Sequence, residues 1–154
     1  MPYKDMREFL HVLEKKGELI RVQVPVSPYL EMTEILERVL SKEGPALLFE
    51  NVTGSQIPVV ANLYGTVKRV ALGLDTDEDG LEEIGHFLAY LQNPDPPRGW
   101  MEALQKLPFF ARVMAFRPKV VNRAPCQEVV LTGDEVDLSR FPIQTCWPKD
   151  IAPL

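Results

Sequence analysis

The apolar positions of this chain follow two rhythms, one of three to four residues and one of two, and the alternation between them predicts its elements. From Tyr3 to Lys16, Met6, Phe9, Leu10 and Leu13 recur at helical spacing among charged residues, which predicts a surface helix with one buried stripe. Gly17 follows Lys15 and Lys16, where a left-handed cap and a cationic last turn both favour a stop. Leu19 to Val24 then ends in strict alternation, a half-buried strand closed by Pro25. Ser27-Pro28 reads as the start of a second helix, with Ile35, Leu36, Val39 and Leu40 as its buried stripe and Gly44-Pro45 as its stop.

The stretch from Gly44 to Leu74 holds the two most strand-like apolar runs, Ala46 to Glu50 and Ile57 to Ala61. The turn chemistry of Val52-Thr53-Gly54-Ser55 between them predicts a hairpin, and Pro58, which has no N–H to donate, marks an edge. Thr66 is placed to cap a short helix in which Val67, Val70, Ala71 and Leu74 share a face and Lys68 and Arg69 point outward. Thr76-x-x-Asp79 resembles a capping box and precedes another helix, with Leu81, Ile84, Leu88 and Leu91 on one side.

Beyond it the pattern weakens. Asn93-Pro94-Asp95-Pro96-Pro97 is a stiff linker and a plausible domain boundary. Trp100, Met101, Leu104 and Leu107 form one more stripe, broken at Pro108 before Phe109 to Met114. Gln127 to Leu131 is the strand candidate of the last third, Thr132-Gly133-Asp134 a turn, and Val136 to Leu154 keeps no period. The resulting fold class is α+β: a small mixed sheet packed by three to four amphipathic helices, followed by an extended C-terminal segment.

Composition narrows the partners. At 154 residues the chain buries about two thirds of its unfolded surface and needs no disulfide or metal to fold. A net charge of -5 without a basic stripe argues against nucleic acid. No run has the length of a membrane span and the first residues lack a signal-type apolar segment, so a cytoplasmic location is expected. His11 and His86 are far apart, and Cys126 and Cys146 lack metal-ligand spacing or a neighbouring base, so they read as solvated or structural groups. Gly65-Thr66-Val67-Lys68-Arg69 could hold an anion at a helix start, but a plain cap with two solvated cations is the simpler reading. Asp75 to Asp79 lacks calcium-loop spacing and reads as an acidic helix start.

Seven blocks taken together carry more. DMREFLHVLEKKGELIRV, LEMTEILERVL, GPALLFENVTG, PVVANLYGTVKRVALGL, PDPPRGW, KLPFF and APCQEVVLTGDEVDLSRFPIQTCWPKDIAPL stand in the order and spacing of the UbiD family of decarboxylases, which the chain resembles over its whole length. The resemblance is to the N-terminal portion of proteins roughly three times longer.

It implies an N-terminal α+β domain over 1–117, and over 118–154 the start of a split-barrel domain that binds prenylated FMN. It further implies non-oxidative loss of CO2 from an aromatic or α,β-unsaturated acid, a polyprenyl 4-hydroxybenzoate in the ubiquinone branch, with the flavin as electron sink. The family's manganese, potassium and Glu-Arg-Glu set fall beyond Leu154. No catalytic, cofactor-binding or metal residue is therefore assigned, no cofactor is expected in this chain, and alone it is expected to be inactive. The remainder of such an enzyme is the expected partner, with homo-oligomer formation and peripheral membrane association of the parent. A stand-alone binding or regulatory module derived from this domain is the alternative. The segment from Val120 to Leu154 is expected to lack its partner surface.

Overall fold

The computed structural model describes residues 3–92, 99–105, 114, 118 and 120–150, the side chains of Glu102, Ala103 and Gln105 excepted. They fall into two compact units, residues 1–83 with 137–154, and residues 84–136. Among the described residues there are five helices and a three-stranded mixed sheet: α1 Met6–Lys15, β1 Leu19–Val22, α2 Glu31–Leu40, β2 Ala46–Phe49, β3 Val59–Ala61, α3 Val67–Gly73, α4 Glu78–Gln92 and α5 Trp100–Gln105. The proline-rich linker 93–97, the expected break at Pro108 and the expected continuation up to 113 lie outside the described residues.

The sheet of the first unit has the order β1-β2-β3. β1 runs parallel to β2, pairing Leu19 with Ala46 and Val22 with Phe49, while β2 and β3 form the antiparallel hairpin that the turn chemistry predicts, pairing Leu47 with Ala61 and Phe49 with Val59. A parallel pair needs a crossover, which α2 supplies. β2 is the central strand and is covered on both faces, which is why Ala46-Leu47-Leu48-Phe49 is continuously apolar.

Alternate residues of β2 divide the core. Leu47 and Phe49 join Val26, Met32 and Val52, against which Ile35, Leu36 and Val39 of α2 pack. Ala46 joins Phe9, Leu13 and Leu19 beside α1, with Leu48 and Leu72 packed against them. Phe49, Leu13 and Met32 are completely enclosed, each contributing about 1.5–3 kcal/mol through burial.

The helix ends explain where the chain turns. In α1 the Asp5 side chain accepts the Glu8 N–H at 3.0 Å, and Gly17 at φ +73° ends the helix as its sequence position demands. In α3 the Thr66 hydroxyl accepts the Arg69 N–H at 3.3 Å.

Several expectations need correction. Ser27 does not cap α2: its hydroxyl accepts the Tyr29 N–H at 3.1 Å in a local turn, and the helix begins only after Leu30, whose φ is +59°. The α2 stripe is anchored by Met32, whereas Leu40 is 44% exposed because it lies at the last turn. The side-chain cap before α4 is a single bond, one residue later than the expected capping box. Asp77 Oδ1 accepts the Gly80 N–H at 2.9 Å, while the Thr76 N–H donates to Ala71 O in closing α3. On α3, Ala71 is buried and Lys68 exposed as expected, whereas Val67 and Leu74 are exposed and Arg69 is buried, contrary to the expected faces.

The second unit comprises most of α4, α5 and two 3-10 turns, Pro125–Gln127 and Gly133–Glu135. Its described residues are exposed or half-buried. Gln127 to Leu131 is not a strand. Val129 and Val130 are 76% and 68% exposed, and no ladder partner lies beside them among the described residues, so a β-rich pattern alone leaves the segment irregular. Thr132-Gly133-Asp134 does turn, with Gly133 at φ +56°.

Residues 137–150 belong to the first unit. Thr145 is 8% exposed and bridges Tyr29 in parallel, so this part of the C-terminal segment has a partner surface within the chain, contrary to expectation.

Candidate functional site

The pair Lys68-Arg69, which the sequence offers as an anion site, does gather charge, and the charge is internal. Glu18, just ahead of β1, reaches both cations: Lys68 Nζ donates to Oε1 at 2.5 Å and Arg69 Nη1 to Oε2 at 3.2 Å. Arg69 has no solvent exposure and the Glu18 side chain only 16%, whereas Lys68 is 59% exposed. Arg69 is therefore not a solvated cation, and the position where an anion would sit is taken by the protein's own carboxylate. Lys68's hydrogen bond, with Arg69's, holds the Glu18 carboxyl below the usual carboxylate range against the opposing effect of burial.

Gly65 roofs this pair. A Cβ there would lie 2.8 Å from Leu40 Cδ1 and 2.9 Å from Arg69 Nη2. The turn is held by Asn62 at φ +54°, whose side-chain amide donates to Leu36 O at 3.1 Å. Arg69 Nε and Nη2 are sealed in without a hydrogen-bond partner. The feature sequence reasoning missed is Glu18, and only the fold, not spacing, brings it to Arg69.

The other candidates lie on different elements. His11 lies exposed on α1 and His86 exposed on α4. Cys126 is exposed and Cys146 half-buried, both as free thiols. Among the described residues no three His, Cys, Asp or Glu side chains are grouped to hold a metal ion. A cleft of about 260 Å³ in the first unit is lined by Pro28, the turn Thr53-Gly54-Ser55, and Leu138 to Ile143 apart from Arg140. Its lining carries hydroxyls but no charged side chain. No helix among the described residues is long and apolar enough to cross a membrane.

Sequence and structure comparisons agree with this architecture. Residues 10–88, just over half of the chain, match the model of the 3-octaprenyl-4-hydroxybenzoate carboxy-lyase N-terminal domain, and residues 119–154 match that of the same enzyme's Rift-related domain. The chain belongs to the UbiD family of carboxy-lyases.

Among solved structures, the closed form of Sedimentibacter hydroxybenzoicus vanillic acid decarboxylase is 28% identical over 94% of this chain and 27% of its own, with a TM-score of 0.65. The UbiD-class enzyme HmfF from Pelotomaculum thermopropionicum, solved in complex with FMN, is 28% identical over 90% of this chain and 26% of its own, with a TM-score of 0.60. An evolved dimeric form of HmfF, in complex with prenylated FMN, is 33% identical over 62% of this chain and 22% of its own, with a TM-score of 0.51. The chain thus spans about a quarter of the length of these enzymes.

The Lys68-Arg69 pair and the cleft of the first unit fit such a flavin poorly. The two adjacent cations are engaged by Glu18, and the 260 Å³ cleft falls below the roughly 300–1,000 Å³ of ordinary ligand pockets and offers a phosphate no cation, whereas an opening of about 520 Å³ in the second unit is lined by Arg123 together with Glu128. No catalytic step is assigned to the described residues.

Proposed function

We propose that this chain is the N-terminal part of a prenylated-FMN-dependent, non-oxidative decarboxylase of aromatic acids. Residues 1–117 act in it as a scaffold domain, and 118–154 open the flavin-binding domain, a split barrel. The observation that carries the reading is the succession of two family models in order, over 10–88 and 119–154. The flavin would supply the electron sink for the departing carboxylate, and a divalent metal, manganese in this reading, would hold it outside the present residues.

The substrate we favour is 3-octaprenyl-4-hydroxybenzoate, giving 2-octaprenylphenol in ubiquinone biosynthesis, because the matching family models carry that enzyme's description. Vanillic acid, the substrate in the name of one structural neighbour, is the competing aromatic acid. The complete enzyme would be a cytoplasmic homo-oligomer that meets its lipid-tailed substrate at the membrane surface. Alone, residues 1–154 are inactive in this reading.

The test is direct. The purified chain, incubated with FMN or prenylated FMN and passed through a desalting column, is expected to retain no flavin absorbance and to release no CO2 from either acid. A longer chain carrying the same residues should do both. Stoichiometric flavin on residues 1–154 would overturn the assignment.

A further inference from the structure

Residues 119–154 match the Rift-related domain, yet part of them is held by the N-terminal domain, and the contact is concentrated in a few groups. The Leu30 N–H donates to Thr145 O and the Thr145 N–H to Pro28 O, both at 3.0 Å. Gln144 Nε2 donates to the Thr33 hydroxyl at 2.7 Å, and that hydroxyl in turn lies 3.5 Å from Thr145 O. Ser55 Oγ, at the hairpin turn, donates to Arg140 O at 3.3 Å. Residues 142–146 are half-buried or buried, whereas 125–141 are exposed throughout.

The seat for this segment is built at the cost of local strain. Leu30, a branched residue, is held at φ +59°, a region disfavoured for anything but glycine. That turn aims its N–H away from the ordinary capping position and toward Thr145. Strain of this kind persists where the surroundings fix it, and here the Glu31 N–H closes the turn on Tyr29 O at 2.6 Å while Thr145 O accepts the Leu30 N–H. After the contact, Asp150 Oδ2 accepts the N–H groups of Cys146 at 3.2 Å and Trp147 at 2.9 Å, folding the chain into a turn that gives it a defined exit.

We propose that residues 140–146 form a detachable clasp, seated on residues 28–33 and Ser55, through which the N-terminal domain holds part of the Rift-related region. The inference rests on the proposed function for the role of the chain beyond the clasp, though not for the clasp itself. Its occupant is this chain's own segment, and its recognition is one parallel bridge plus three side-chain bonds. With one buried residue and no ladder, it opens independently of the sheet.

Amide hydrogen exchange on the full 154-residue chain tests this. In the unsubstituted protein the Leu30 amide should exchange more slowly than the exposed Val130 amide, and faster than the amides of Ala46 and Glu50, which donate to Glu18 O and Val22 O within the sheet. Gln144→Ala should speed Leu30 exchange about tenfold, the loss of one net hydrogen bond, and leave Ala46 and Glu50 unchanged. Thr145→Pro should abolish Leu30 protection. Leu30 exchanging as fast as Val130 in the unsubstituted protein would show that no clasp forms. Acceleration of Ala46 and Glu50 together with Leu30 would show an inseparable part of the core. Neither result involves flavin, so the clasp and the proposed function can fail separately.

Discussion

Glu18→Gln is the most informative single change. The substitution keeps the shape of the side chain but removes the carboxylate that faces a guanidinium with no solvent exposure. Arg69 then holds its charge with Nη1 on a neutral amide and with Nε and Nη2 already unpartnered. Removing one member of a buried pair costs about 3–5 kcal/mol, because the remaining charge stays desolvated. The amide oxygen can still accept from Nη1, which places Glu18→Gln at the lower end of that range, roughly 3 kcal/mol.

The other members of the cluster should behave differently. Lys68 is 59% exposed, so Lys68→Ala should cost no more than about 1 kcal/mol. Arg69→Met removes the buried charge itself and, by the same reasoning, should cost clearly less than Glu18→Gln. Urea unfolding followed by circular dichroism gives all three values, and the Glu18→Gln loss corresponds to a drop of about 10 °C in melting temperature. Equal costs for Glu18→Gln and Arg69→Met, or a Glu18→Gln cost within about 1 kcal/mol of zero, would refute the reasoning, since Arg69 would then have another acceptor.

Two further outcomes concern the same region and the turns. The folded-state value of Glu18 lies below that of the unfolded chain, about 4.3, so its contribution is complete above that value and is lost as pH falls through the folded one. Unfolding measured from pH 7 to pH 3 should show the steeper loss in the unsubstituted protein, and an identical slope in Glu18→Gln would remove Glu18 from the acid response. Gly17→Ala meets open space at φ +73° and should cost about 1 kcal/mol from backbone conformation alone. Gly65→Ala, with contacts of 2.8 and 2.9 Å awaiting its Cβ, should cost up to about 3 kcal/mol, and a Gly65→Ala cost smaller than that of Gly17→Ala would contradict close packing over Arg69.

Much of the first unit was legible because its signals are local. The stripe of α1 with its stop at Gly17, the Thr66 cap and the β2–β3 hairpin each depend on residues a few positions apart. What stayed hidden depends on distance along the chain. Glu18 and Arg69 are 51 residues apart, so adjacency to Lys68 suggested a solvated pair where the fold makes a buried one. The parallel partner of β1 lies 27 residues further along, Leu19 against Ala46, and the seat of Thr145 at Tyr29 lies 116 residues away. Val129 and Val130 show the opposite failure, a strand pattern with no strand to pair with among the described residues.

The three-stranded sheet also carries its own protection against aggregation. Its outer strands present backbone to whatever chain drifts alongside, the usual template for misassociation. On β1, Arg21 is clamped by Glu14 at 2.6 Å and by Glu50 at 2.6 Å, so an incoming strand would have to pack against a fixed cluster of charges. On β3, Pro58 stands immediately before Val59 and offers no N–H to extend a ladder. Each border of this small sheet thus discourages a stranger strand by different chemistry, one by charge and the other by a missing donor.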